Sequence, residues 1–301
     1  MRNNVSFNIL ASYAYLNNDK VFCDWCFGLH KDGIANVMID SGAFTLHNAK
    51  QKRDWLTVDN YCRFLEKYGN NCEKYVMLDV VGNDIQSKKN YELMVSRGFE
   101  PMFVLTMFDK DWQYLNETLN TNQNICVAGG VTTKGDWMTK RFQDVSVHTD
   151  KRAKVHGLGY VTFPKMFQVP LVSVDSSSWK QAALCYGTLN YFTPQGVKGM
   201  PYKDILKKGG KCIPTALRQE LNQIKVTPSL FIDKEQHKGD FSIESLASCV
   251  TFIKFQKYAK MHNRQLFLAV SGANDVKKLN YVYNNFNNLD YEQYKQMSGR
   301  G

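Results

Sequence analysis

What this chain lacks narrows it first. No uninterrupted apolar run approaches the roughly 20 residues that a bilayer-spanning helix needs, so no helical membrane span is expected. The opening stretch, MRNNVSFNILASYAYLNN, has one Arg and an apolar run broken by Asn and Ser. It reads as a first strand and not as a secretory signal, and a cytoplasmic protein is expected. No low-complexity linker interrupts the 301 residues. That length suits one large core or two modest ones, and with no clean boundary a single domain over 1–301 is expected. The close cysteine pair Cys23-Asp-Trp-Cys26 has neither a second pair nor a nearby His, so no metal site is expected there. The eight cysteines are scattered, mostly inside apolar runs. At this size that argues against a secreted disulfide scaffold.

What the chain has is a 44% hydrophobic content and a formal net charge of +10, which together describe a basic globular protein. Its basic residues cluster at Lys50–Arg53, Lys88-Lys89, Lys134–Arg141, Lys151–Lys154 and Lys203–Lys211. Phosphate contacts release counterions and supply sequence-independent affinity, so a nucleic acid is the partner such a surface predicts. A merely solvated basic surface is the plainer reading of the same charge.

Short apolar runs recur with helix-compatible stretches between them: Ser6–Ala14, Asn36–Phe44, Lys74–Val81, Pro101–Met107, Asn124–Val131, Lys154–Tyr160 and Val169–Asp175. None alternates strictly, which is the pattern of strands buried on both faces. Between them, Val58, Tyr61, Cys62 and Leu65 fall at helical spacing, with Thr57 as N-cap and Gly69 as stop. Another helix over Ser87–Arg97 ends at Gly98. Alternation of this kind predicts an α/β fold with a parallel sheet, either doubly wound or closed. Polar or glycine positions close nearly every run: Asp40, Asp79, Thr106, Gly130, Gly157 and Asp175. Groups converging from so many strand ends need a ring, so the expectation is a TIM-type (β/α)8 barrel with chemistry at its C-terminal mouth. The eighth strand has two candidates, Leu189–Thr193 and Gln265–Val270. From about 210 to 301 the chain reads as mainly helical, with Leu246, Cys249, Val250 and Ile253 on one face.

Asp40-Ser41-Gly-Ala-Phe44 follows Val37-Met-Ile39, and Asp79 follows Tyr75-Val-Met-Leu78. Each Asp alone could be a helix N-cap or a chemical group. Ala128-Gly129-Gly130-Val131 could be a tight turn, and His156-Gly157-Leu-Gly159 a phosphate-type loop. Asp175, closing Pro170-Leu-Val-Ser-Val174 and followed by three serines, is a carboxylate on a rigid platform. Two carboxylates in one mouth, Asp40 and Asp175, are the minimum set for displacement at an anomeric carbon. Three in one pocket would repel, so at least one should be protonated or paired with a ligand donor.

Taken in order, DSGAF, VMLD, AGGV, HGLG and VSVDSSSW resemble the tRNA-guanine transglycosylases, and more closely their DNA-acting relatives, the 7-deazaguanine DNA transglycosylases carried by bacteria and phages. The resemblance spans roughly 5–200. It implies that Asp175 attacks C1′ of a guanosine and that Asp40 protonates the departing base and deprotonates the incoming one. It implies that Asp79 accepts from the guanine N1–H and 2-amino edge, and that Phe44 and His156 stack on opposite faces of the base. It places Ser41, Gly129, Gly130, Gly157 and Thr106 around the base. The implied partners are DNA and a free 7-deazaguanine base of the preQ0 type, with no cofactor. Family members often dimerise, and no motif here decides the oligomeric state. Two departures stand out. Leu105-Thr106 replaces the family's fourth-strand glutamine, and only Cys185 and Cys212 lie where the tRNA enzymes carry a Cys-x-Cys-x-x-Cys…His zinc site. No zinc is therefore expected, and DNA is favoured over tRNA. A retaining glycoside hydrolase would want a Glu at one of these strand ends, and none is there. A non-catalytic nucleic-acid-binding barrel with capping aspartates is the remaining alternative.

Overall fold

The computed structural model describes residues 6–48, 54–106, 109–128, 137–208 and 212–299. The chain divides into two compact units: residues up to Ser176 together with Asn263–Ala273, and Ser177–His262 together with the residues from Asn274 on. The sequence predicts a single domain with a helical part from about 210; the second unit instead starts at Ser177, and one strand from the late region returns to the first.

The first unit is built on an eight-stranded sheet. In chain order its strands are β1 (Phe7–Ser12), β2 (Ala35–Asp40), β3 (Lys74–Tyr75), β4 (Phe103–Leu105), β5 (Asn124–Val127), β6 (Lys154–Gly157), β7 (Ser173–Ser176) and, after the hairpin strands β8 and β9 described below, β10 (Gln265–Val270). Their spatial order is β3-β2-β1-β10-β7-β6-β5-β4. All are paired in parallel, so the C-terminal ends share one side of the sheet. The sheet is curled into a half-barrel and not the closed barrel expected; beyond its edge strands, Val76 and Met102 form a single isolated parallel bridge. There Met102 N–H donates to Tyr75 O at 2.8 Å and Met77 N–H donates to Met102 O at 3.1 Å.

Burial on both faces explains the strands' composition. Every residue of β1 is buried, and Ile9 faces Val37 on one side and Leu268 on the other. Gln265–Val270 is thus the eighth strand, inserted between β1 and β7. The expected strand over Asn36–Phe44 stops at Asp40 because Gly42 takes φ +83° and starts the short helix Ala43–His47. The expected helix near Thr57 runs over Val58–Tyr68, with the Thr57 Oγ1 accepting from Asn60 N at 3.2 Å and Gly69 at its end. The helix expected from Ser87 begins earlier, at Asp84, because Asn83 caps it by accepting from Gln86 N at 3.0 Å.

The second unit holds the other candidate strand. Leu189–Thr193 lies in β8 (Thr188–Thr193), an antiparallel hairpin with β9 (Gly196–Pro201). The helix Ile243–Met261 is its core and is buried on nearly every side, polar residues such as Ser245, Ser248 and Thr251 included. Some buried polar groups there are matched: Asn190 Nδ2 donates to Ser248 Oγ at 2.8 Å, and Asp275 sits between Lys180 at 3.1 Å and Lys278 at 3.2 Å. Among the described residues, no helix is long and apolar enough to cross a membrane.

Candidate active site

Asp40, Asp79 and Asp175 are brought together by the sheet. Each of the three pushes up the thiol of Cys126, a fully buried β5 residue whose main cause of elevation is burial itself. Asp40 and Asp175 also act on each other, as do Asp40 and Asp79.

Asp40 ends β2, paired in register with Ser12 at the end of β1. Gly42 N–H donates to Asp40 Oδ2 at 3.1 Å, and the Ser12 side chain also hydrogen-bonds the carboxyl. This turn needs glycine. A Cβ on Gly42 would lie 2.7 Å from the Ala14 Cβ and 3.2 Å from Ser12 Oγ, at a φ that side chains rarely adopt. Burial pushes the Asp40 carboxyl above the ordinary carboxylate range, and the negative charge of Asp175 adds to it. The bonds from Ser12 and Gly42 and the nearby His156 pull the other way without cancelling the rise.

Asp79 lies just beyond β3 and is pushed up to about 7, first by burial and then by the charge of Asp40. Its own backbone N–H and the Ser41 side chain oppose the rise. A carboxyl with that value is divided between neutral and charged forms near neutral pH. Ser41 itself is fully buried, so it shapes Asp79 from beneath and does not face an open mouth.

Asp175 is held differently. It is 7% exposed and receives the Gly159 N–H on Oδ1 at 2.8 Å and His156 Nε2 on the same oxygen at 3.1 Å. The other ring nitrogen, His156 Nδ1, meets Ser173 Oγ at 2.8 Å. A carboxylate oxygen accepts, so Nε2 is the donor to Asp175, and Nδ1 shares a hydrogen bond with the Ser173 hydroxyl. Register builds this relay: His156 on β6 pairs with Ser173 on β7, two residues before Asp175.

The remaining expected site residues fall into three groups. Phe44 is 55% exposed on the helix Ala43–His47. His156 is not: it is 0% exposed with both nitrogens engaged, so it holds Asp175 and presents no face to a base. Gly157 and Thr106 are structural in position. A Cβ on Gly157 would come to 3.0 Å from Phe142 Cζ and 3.1 Å from Tyr160 Cβ, so a side chain there would need those neighbours to give by a few tenths of an ångström. Thr106 Oγ1 donates to Asp84 Oδ1 at 3.1 Å, and its carbonyl accepts from Arg141 at 2.8 Å. Gly129 and Gly130 lie outside the described residues. Ser12, Ser173 and the Gly159 N–H were not singled out from the sequence; the HGLG motif contains Gly159, while the two serines owe their place to strand register.

The close cysteine pair is buried, and the Cys23 thiol, which donates to Leu16 O at 3.2 Å, is pushed up to about 11 mainly by burial. Among the described residues, no group of three or more His, Cys, Asp or Glu could hold a metal ion. No family model matches the chain, and no curated protein matches it.

Proposed function

We propose that the chain is a base-exchange transglycosylase on a TIM-like half-barrel, replacing guanine in DNA with a 7-deazaguanine of the preQ0 type. The observation that carries this reading is the unequal treatment of two neighbouring carboxyls. Asp40 is raised, and so can keep a proton to give; Asp175 is clamped as an acceptor through Oδ1 by two N–H donors. A carboxyl that can keep a proton beside one held in place as an acceptor supplies the acid and the nucleophile that base exchange needs.

In the proposed reaction, Asp175 attacks C1′ through its second oxygen while the bond from C1′ to guanine N9 breaks. The leaving base takes its proton from Asp40. The incoming base then returns a proton from its own N9–H to the Asp40 carboxylate and attacks C1′, releasing Asp175. Two inversions retain the β-configuration, and one glycosidic bond replaces another, so no energy source is consumed. Asp79 in its charged form accepts from the two N–H groups of the guanine edge. Because it stands near 7 in the free protein, guanine affinity rises with pH up to about that value. Phe44 supplies the exposed ring on which an extruded base stacks, repaying part of the few kcal/mol that extrusion costs.

The test is incorporation of labelled guanine by the purified protein into duplex DNA and, in parallel, into unmodified tRNA. Label in DNA that vanishes with Asp175→Ala supports the reading. Label in tRNA alone keeps the chemistry and overturns the polymer. Label in neither, with DNA binding retained, overturns the enzyme and leaves a binding protein.

A further inference from the structure

Within the first unit, a recess of about 620 Å³ opens between the helices Lys20–Lys31 and Val58–Tyr68. It is separate from the carboxylate cluster, and its lining is one-sided in charge. Lys20, Arg63 and Lys67 supply three cations and Asn17, Asn18 and Asn60 three amides, and among the described residues no carboxylate lines it. Among the described residues, none of the three cations is ion-paired. Asp19, the carboxylate next in the chain to Lys20, is occupied as an N-cap, accepting from Phe22 N at 2.8 Å. Arg63 donates to Asn60 Oδ1 at 3.3 Å, which orients its guanidinium without neutralising it.

Periodicity explains the row. Asn60, Arg63 and Lys67 stand at i, i+3 and i+7 on one helix and so share a face. Arg63 and Lys67 are separated by about 6 Å along the axis, four residues at 1.5 Å each. The other wall starts beside the candidate site: the short helix Tyr13–Leu16 follows Ser12 directly, and the loop after it carries Asn17 and Asn18. Cations without a carboxylate partner, with Lys67 lying over the Tyr68 ring and the amides of Asn60 and Asn17 already bonded to Trp55 O and Asn18, suit a chain of phosphates and not a single apolar ligand.

We infer that this recess binds the phosphate backbone of the polynucleotide flanking the target base, as a positioning site distinct from the carboxylate mouth. The identity of the polymer rests on the proposed function; the phosphate chemistry rests on the recess alone. Its contacts carry no sequence information, so its signature is salt dependence.

The experiment measures binding of a labelled guanine-containing DNA duplex against salt, and base exchange separately. The compared proteins are wild type, the triple variant Lys20→Gln/Arg63→Gln/Lys67→Gln, and the control Lys31→Gln/Lys234→Gln/Lys260→Gln, which changes charge equally. All six side chains are exposed, so both variants should fold. Each lost phosphate contact removes about 0.9 from the slope of log affinity on log salt. The recess triple should flatten the slope by about two to three and the control by clearly less. Equal flattening by both triples, or none by the recess triple, overturns the inference. Inorganic phosphate that competes at the recess while the slope stays unchanged would assign it to a free anion and overturn the polynucleotide. If the recess triple flattens the slope and wild type performs no exchange, the recess stands and the transglycosylase reading falls. If exchange proceeds and the slope is unmoved, the reverse holds.

Discussion

Two strand ends in this protein carry the same residue type and treat it in opposite ways. At the end of β2, Asp40 is bonded by a serine and a turn N–H, yet burial and the charge of Asp175 still raise its carboxyl. At β7, Asp175 has one oxygen pinned by the Gly159 N–H and by an imidazole that the Ser173 hydroxyl holds in turn. Both side chains are largely withdrawn from solvent, and burial is the main cause of the rise at Asp40. A buried aspartate raised beside a like charge is suited to carry a proton, and one with an oxygen held by two N–H groups is held in position as an acceptor.

The comparison breaks most visibly at Asp175. Asp175→Asn should lower base exchange by about 10³-fold or more, because the nucleophile is lost, while thermal unfolding stays near wild type; exchange within tenfold of wild type would remove the covalent role. Next comes Asp40→Asn, expected to cost about 10² to 10⁴-fold in turnover as the proton donor disappears. That loss should shrink for a substrate base that departs readily without protonation. A loss independent of the leaving base would make Asp40 a structural cap. Gly42→Ala should destabilise the fold by about 1–3 kcal/mol, from the positive φ and the 2.7 Å approach to Ala14. An unchanged denaturation midpoint would mean the turn relaxes freely.

The smallest effect is a pH trend at Asp79. Its folded value of about 7 lies above the unfolded value near 4. Its stabilising contribution is therefore complete below about pH 4 and is lost as pH rises through about 7. Asp79→Asn has no such loss, so its Tm should gain on wild type across that window and level off above it. Parallel curves would show that Asp79 is not elevated.

Much of this was legible in the residues, for identifiable reasons. Runs such as Phe7–Ser12 and Ala35–Asp40 announce themselves because a parallel strand is apolar on both faces. The strand-end aspartates were legible because an ionisable group after such a run must be a cap or a chemical group. Less legible was where a strand stops: Asp40-Ser-Gly reads on into Ala43 and Phe44 until the left-handed Gly42 is seen to start a helix. Ser12 was hidden altogether, because its partner Asp40 is reached through register across two strands. His156 misled in the same way. Its glycine-rich surroundings suggest an open loop, whereas its position opposite Ser173 buries the ring. The choice between Leu189–Thr193 and Gln265–Val270 as eighth strand was likewise settled only by pairing partners far away in the chain.

The central claim is that Asp175 forms a bond to the sugar, and intact-mass spectrometry of the acid-quenched protein tests it directly. Wild type incubated with guanine-containing DNA, with no acceptor base added, should gain the mass of the DNA strand less guanine, and Asp175→Asn should gain nothing. A wild type that never shifts while exchanging labelled guanine, or an adduct that persists in Asp175→Asn, would contradict the account.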